Sequence, residues 1–241
     1  MELYKVKLTK KQLMSIPELE LKLLFLLANL LNDICILHKF AIFSNKEIDC
    51  ITTRKAQNSQ TFFILMLLAG KLWEGWQMLT KNFFGAKLSI EYEKSLMDEG
   101  KTSLQNIKKY FSGRNIIDDI RNKYTFHYGY SNDVVKRIDL LEDKDELDLF
   151  FSESHVNCFY YISTLLTSSS ILNDINPDNS LAALEKFFDD ITDSAKWFLN
   201  FCTDCLRIIA TKYFDRDFER IVISDPPAID SIFIPYFVSK S

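Results

Sequence analysis

The sequence predicts an all-α fold, a bundle of long antiparallel helices with short extra helices, room for a minor β element and an extended C-terminal tail. Three observations predict it. Apolar residues recur at three- and four-residue steps over long stretches. Gly and Pro number only 6 and 5 in 241 residues, too few for a loop-rich β fold. A hydrophobic content of 47% supplies a sizeable core, which 20 Phe and 10 Tyr should make rich in aromatic contacts. A single helical-bundle domain is expected over residues 1–220, with 221–241 as an apolar tail.

Met1 to Leu8 alternates weakly, with Tyr4, Val6 and Leu8 on one side, and fits a short strand. Ser15-Ile-Pro-Glu18 reads as a capping box opening the first long helix. Ile16, Leu19, Leu23, Leu26, Leu30, Ile34, Leu37 and Ala41 then carry that helix to Ser44, and Leu24, Leu27 and Leu31 widen its apolar face. A second helix is expected from Thr53 to Phe84, stopped by Gly85. Its centre, Phe62 to Gly70, is apolar all round and expected to be buried, and Trp73 and Trp76 share a face. Ala86 to Gly100 fits a short helix and a loop, and Thr102 to Phe111 a short helix before Gly113.

Ser131 and Asn132 are placed to cap a turn running through Val134 to Leu141. The acidic run up to Asp148 reads as a solvated loop. Leu147 to Phe151 fits either a strand or a helix start, and His155 to Leu166 a helix. Ser168 to Ser170 and Asn176 to Ser180 punctuate the next connection. The last helix is the most regular: Leu181, Leu184, Phe188, Ile191, Ala195, Phe198, Cys202, Cys205 and Ile209 alternate in steps of three and four. Ile221 to Ile223 looks extended, Pro226-Pro227 forbids helix, and Ile232 to Val238 must dock on its own domain or on a partner.

Bulk charge narrows the function. A net charge of −4 does not suit a general nucleic-acid binder. The charge is uneven, however. Lys108 to Arg137 holds seven basic residues against three Asp, and Asp139 to Glu153 holds seven acidic residues against Lys144. Met1 to Lys11 lacks the apolar run of a secretory signal, and an odd five cysteines without framework spacing suit a reducing cytoplasm. Glu20, Lys22 and Asn29 interrupt the greasiest stretch, so no membrane association is expected.

Several site signatures are weak or missing. Cys202-Thr-Asp-Cys205 lies inside a helical seam without a second ligand pair, so core cysteines are expected there, and also at Cys35, Cys50 and Cys158. His38 and His155 stand apart, without HExxH spacing, and the glycines are too scattered for a phosphate loop. No cofactor or metal is expected.

One stretch suggests chemistry: Ile116 to Tyr130, with Arg121, Asn122 and, five residues on, His127. Ile116, Ile117, Ile120, Tyr124, His127 and Tyr128 share a helical face. Asp119 and Lys123 form an i,i+4 pair. On a regular helix His127 lies about 120° around the axis from Arg121 and about 9 Å along it. To share a site the helix must break, Arg121 must wrap round, or a second chain must supply the partner, as a two-fold dimer does.

The run R-N-K-Y-T-F-H resembles the Arg-x(4–6)-His motif of the HEPN superfamily, small helical bundles in which a polar residue often follows the Arg. The resemblance spans about fifteen residues. It implies a metal-independent endoribonuclease of toxin or defence type that acts as a homodimer on RNA, with an antitoxin or other protein as a possible partner. Arg121, Asn122 and His127 would be catalytic, and Lys123, Tyr128 and Arg114 would hold substrate. The rival reading is a non-catalytic interaction or scaffold bundle, motivated by the apolar tail, the acidic balance and the long final helix.

Overall fold

The computed structural model describes residues 1–125, 134–214 and 219–239. It is 70% helical, with two short two-stranded sheets, which establishes the all-α class. The helices are α1 (Lys10–Met14), α2 (Glu18–Ser44), α3 (Ile51–Asn82), α4 (Lys87–Ser95), α5 (Asp98–Phe111), α6 (Ile116–Ile120), α7 (Val134–Arg137), α8 (Tyr161–Ile175) and α9 (Ser180–Tyr213). The strands are β1 (Glu2–Lys5), β2 (Leu149–Phe150), β3 (Phe159–Tyr160) and β4 (Glu219–Val222). The chain forms two compact units, one from Met1–Cys35, Glu74–Gly113 and Ser194–Ile232, the other from Ile36–Trp73, Arg114–Asp193 and Phe233–Ser241.

In the first unit the predicted β element is real. β1 pairs antiparallel with β4, Leu3 opposite Ile221. The capping box lies one element earlier than expected. Thr9 accepts from the Gln12 amide, and the Gln12 side chain accepts from the Thr9 amide, at the start of α1. Ser15 instead terminates α1, its hydroxyl donating to the Gln12 carbonyl at 2.7 Å. A Ser-x-x-Glu match therefore proves no cap when a short helix has already claimed the Ser.

Leu23, Leu27, Leu30 and Ile34 of α2 are buried, whereas Leu19 is 65% exposed. Phe83 meets Phe201 edge-on at 5.4 Å and Tyr92 at 6.2 Å. Phe111 packs against Trp76 and Phe198. A Cβ on Gly75 would stand 2.8 Å from Leu30 and 3.1 Å from Phe198, so helix contact there needs a residue without a side chain. Beyond α3, Gly85 adopts φ +79°, the left-handed stop predicted for it.

Two buried carboxylates organise this unit. Glu20 accepts from the Tyr92 hydroxyl at 2.7 Å, from Lys212 at 3.0 Å and from the Tyr213 hydroxyl. Asp204 accepts from the Met97 amide at 2.6 Å, at the start of α5, and from Arg207 at 2.7 Å. A side chain of α9 thus satisfies an amide that α5 cannot satisfy itself.

α2 is long and apolar enough to cross a membrane by length and composition, and 22% of its most apolar stretch is buried. Its Glu20 is nevertheless fully engaged by protein groups.

In the second unit, Phe62 of α3 stacks on Phe187 of α9 at 4.7 Å. Leu65, Met66, Leu68, Ala69 and Leu72 are buried, but Phe63 is 52% exposed, so the apolar centre of α3 is not enclosed on every side. Leu147 to Phe151 resolves into strand β2, which pairs with β3, Phe150 opposite Phe159. The expected helix from His155 is replaced by a 3-10 turn (His155–Asn157) and β3, and α8 begins only at Tyr161. Two aromatic residues, Phe159 and Tyr160, favour strand pairing there over helix. Ser168 to Ser170 lies inside α8, where Ser168 donates to the Leu165 carbonyl, so these serines do not mark the connection.

The early half of α9 corrects the predicted seam. Leu181 and Phe188 are exposed at 65% and 38%, and Ala183 and Phe187 take the inner positions. A strict 3-4 alternation drifts around a 3.6-residue helix, so extending the seam backward from Ile191 misses by one residue.

The C-terminal tail docks on its own chain. The Ile234 amide donates to the Phe43 carbonyl at 3.1 Å. The Ile234 carbonyl accepts from Gln57 and Gln60, each at 3.0 Å. Gln57 also accepts from the Tyr236 amide, and the Tyr236 hydroxyl donates to the Cys158 carbonyl at 3.0 Å. Asn157 and the Val238 backbone exchange two hydrogen bonds. Main-chain polar groups of the tail thus find partners without a regular strand, while Phe233 and Val238 stay 40% and 49% exposed.

Candidate functional site

α6 starts where Asn115 supplies a cap, its side chain accepting from the Asp118 amide at 2.9 Å. Ile117 and Ile120 are buried, anchoring the helix by its apolar side. At Arg121 the helix does not continue in α form. Arg121–Thr125 is a π-helical turn, a rare geometry that recurs at functional sites. The Thr125 hydroxyl reaches both the Ile120 carbonyl, five residues back, and the Met66 carbonyl, at 3.2 Å each. The amphipathic helix expected from Ile116 therefore leaves regular α form at Arg121.

The first two motif residues are brought together. Arg121 donates from Nη1 to Asn122 Oδ1 at 2.9 Å, and Asn122 donates onward to the Asp118 carboxylate. Asn122 thus bridges the guanidinium and an acid one turn earlier. Burial raises the Asp118 pKa, as does Asp119, against the opposing pull of Asn122, Arg121 and Lys123.

The other predicted substrate contacts diverge. Arg114 is exposed, with its guanidinium 3.4 Å from Asp119. Lys123 forms the expected pair with Asp119 at 3.1 Å, but also meets Asp174 at 3.2 Å, so two carboxylates neutralise it. His127 and Tyr128 lie outside the described residues.

Sequence reasoning missed a cluster next to the motif. The Tyr124 hydroxyl donates to Asp174 at 2.7 Å and accepts from Arg137 at 2.9 Å, while the Arg137 guanidinium lies 5.7 Å from the Tyr124 ring centre. Asp174 stands fifty residues along the chain from Tyr124, near the end of α8, and no local pattern links them. Tyr124, on the apolar face of the expected helix, is buried at its ring and bonded at its tip.

The cysteines split. Cys202 and Cys205 are fully buried, and burial pushes both thiols well above their ordinary pKa, as core positions require. Cys35 and Cys50 are exposed, correcting the expectation that they are core residues. Cys50 directly precedes α3, where hydrogen bonds from Thr53, side chain and backbone, hold its thiol below the usual value. Among the described residues no three His, Cys, Asp or Glu side chains gather in a metal-binding group. Neither a scan against protein-family models nor searches of curated proteins and of solved structures found a match.

Proposed function

We propose that this chain is a HEPN-like, metal-independent endoribonuclease of toxin or defence type, acting in the cytoplasm as a homodimer. The observation that carries the reading is the Arg121–Asn122–Asp118 chain on a π-helical turn. It holds the guanidinium against the polar residue directly following it, the kind of residue that often follows the Arg in the motif it resembles. Fixing the guanidinium beforehand lowers the cost of gripping a phosphate as charge builds on it.

In this reaction His127 takes the proton from a ribose 2′-hydroxyl or returns one to the departing 5′-oxygen, since imidazole titrates near neutral pH. The 2′-oxygen bonds to phosphorus, the P–O5′ bond breaks, and the products are a 2′,3′-cyclic phosphate and a 5′-hydroxyl. Arg121 stabilises the phosphorane-like charge, and Asn122 sets its direction. A complementation assay tests the composite, two-chain site. Arg121→Ala and His127→Ala are each expected to be inactive, and mixing them after joint refolding is expected to restore cleavage. Two inactive parents that stay inactive together, despite mixed dimers, refute a site shared across chains.

A non-catalytic interaction bundle is the second reading. Its support is an exposed apolar sheet face: Leu149, Phe151 and Tyr160 are 51%, 76% and 49% exposed, with Phe151 and Tyr160 in ring contact at 5.9 Å. Replacing Phe151 by Ser leaves RNA cleavage unchanged under the first reading and abolishes partner binding under the second.

A further inference from the structure

A cleft of about 310 Å³ opens along the first turns of α3 and α8, within the second unit. Its size matches the smaller of the pockets that hold organic ligands. Arg54 stands at its wall, exposed, and no carboxylate among the described residues pairs with it. Lys55 also lines the cleft, but Glu146 and Asp148 bind its ammonium, which lies 4.8 Å from the Tyr161 ring centre. Arg54 is thus the cation left for a ligand.

The remaining lining sets the rest of the chemistry. Phe62 contributes ring surface; its stack on Phe187 fixes the ring's orientation. Tyr161 adds a second ring. Asn58 and Thr164 are further polar groups, one helical turn on from Arg54 and from Tyr161 respectively. Ser59 and Ser168 already donate their hydroxyl protons to the Lys55 and Leu165 carbonyls, which leaves their oxygens as acceptors.

We propose that this cleft binds a small aromatic carboxylate. A carboxylate matches the planar donor fork of one guanidinium, two parallel bonds to two oxygens. A phosphate dianion brings a second charge that the cleft does not match, because the neighbouring Lys55 is already neutralised by Glu146 and Asp148 and only the Arg54 charge is left to meet it. The ligand ring meets the rings of Phe62 and Tyr161, where offset or edge contacts are favourable. The site is separate from the Arg121 motif in sequence and chemistry, and the inference does not rest on RNA cleavage.

Calorimetric titration of the full chain tests it, with indole-3-carboxylate as the probe and indole-3-carboxamide and phenyl phosphate as comparators. Saturable binding is expected with a Kd at or below about 1 mM. The carboxamide and phenyl phosphate are each expected to bind about tenfold more weakly or worse, and Arg54→Gln to weaken the carboxylate by about the same factor. Because Arg54 is exposed, Arg54→Gln should melt with the wild type, which separates lost binding from lost folding. Absence of saturable binding, equal binding by Arg54→Gln, or tighter binding of phenyl phosphate would each overturn the proposal.

Discussion

The Asp204 carboxylate occupies the space that a side chain on Gly100 would need: a Cβ built there comes within 3.1 Å of Asp204 Cγ and overlaps its oxygen. That approach lets an acid of α9 reach the Met97 amide and lie at the positive end of α5. Gly100→Ala should therefore destabilise the protein by about 2 kcal/mol, although Ala is the better helix former. Chemical denaturation measures it. A gain in stability, as helix propensity alone would give, contradicts the close approach.

Glu20 makes acid stability a test of the core. Burial raises its pKa, but hydrogen bonds from Tyr213, Tyr92 and Lys212 outweigh burial and leave the carboxyl below its ordinary value. The contribution is complete above the unfolded-state carboxylate pKa and disappears as pH falls through the depressed folded value. Denaturation midpoints measured down through the acid range should fall for the wild type and fall less for Glu20→Gln. Tyr92→Phe should cost about 2 kcal/mol at neutral pH, since it takes one donor from a buried charge.

The tail contacts converge on Gln57, which is 1% exposed and bonded to the Ser44 carbonyl at 2.7 Å as well as to Ile234 and Tyr236. Gln57→Leu removes all of these while keeping volume. Limited proteolysis should then cut within residues 233–239 faster than in the wild type, with the rest of the chain equally resistant. An unchanged cutting rate would mean that these hydrogen bonds do not hold the tail.

Thiol labelling separates the cysteines without mutation. Under native conditions Cys35 and Cys50 should react quickly with an aromatic disulfide, Cys50 the faster because its thiolate is favoured. Cys202 and Cys205 should react only on unfolding. Fast native labelling of either would contradict the burial of the α9 seam.

Periodicity made the long helices legible because their cores are continuous. The ends of α2 and α3 fall within a few residues of those predicted from Ser44 and Phe84. What failed depends on distant partners. His155 to Leu166 looks helical alone, yet Phe159 and Tyr160 pair with β2 and shift the helix start to Tyr161. Of the candidate site, Arg121 and Asn122 were readable as neighbours. Their link to Asp118 depends on side-chain geometry that spacing does not specify, and Asp174 is joined to Tyr124 only by the fold. The π-helical turn has no sequence signal in this stretch beyond Thr125, whose hydroxyl reaches back five residues.

The proposed cleavage of RNA by Arg121 and His127 can be measured directly. The direct measurement is end-group analysis of a labelled RNA incubated with the purified chain in a metal chelator, beside Arg121→Ala and His127→Ala. A 2′,3′-cyclic phosphate is expected from the wild type, with at least about a hundredfold slower cleavage by either variant. Cleavage at the wild-type rate by both variants, or no cleavage of any of several RNAs by a folded wild type, contradicts it.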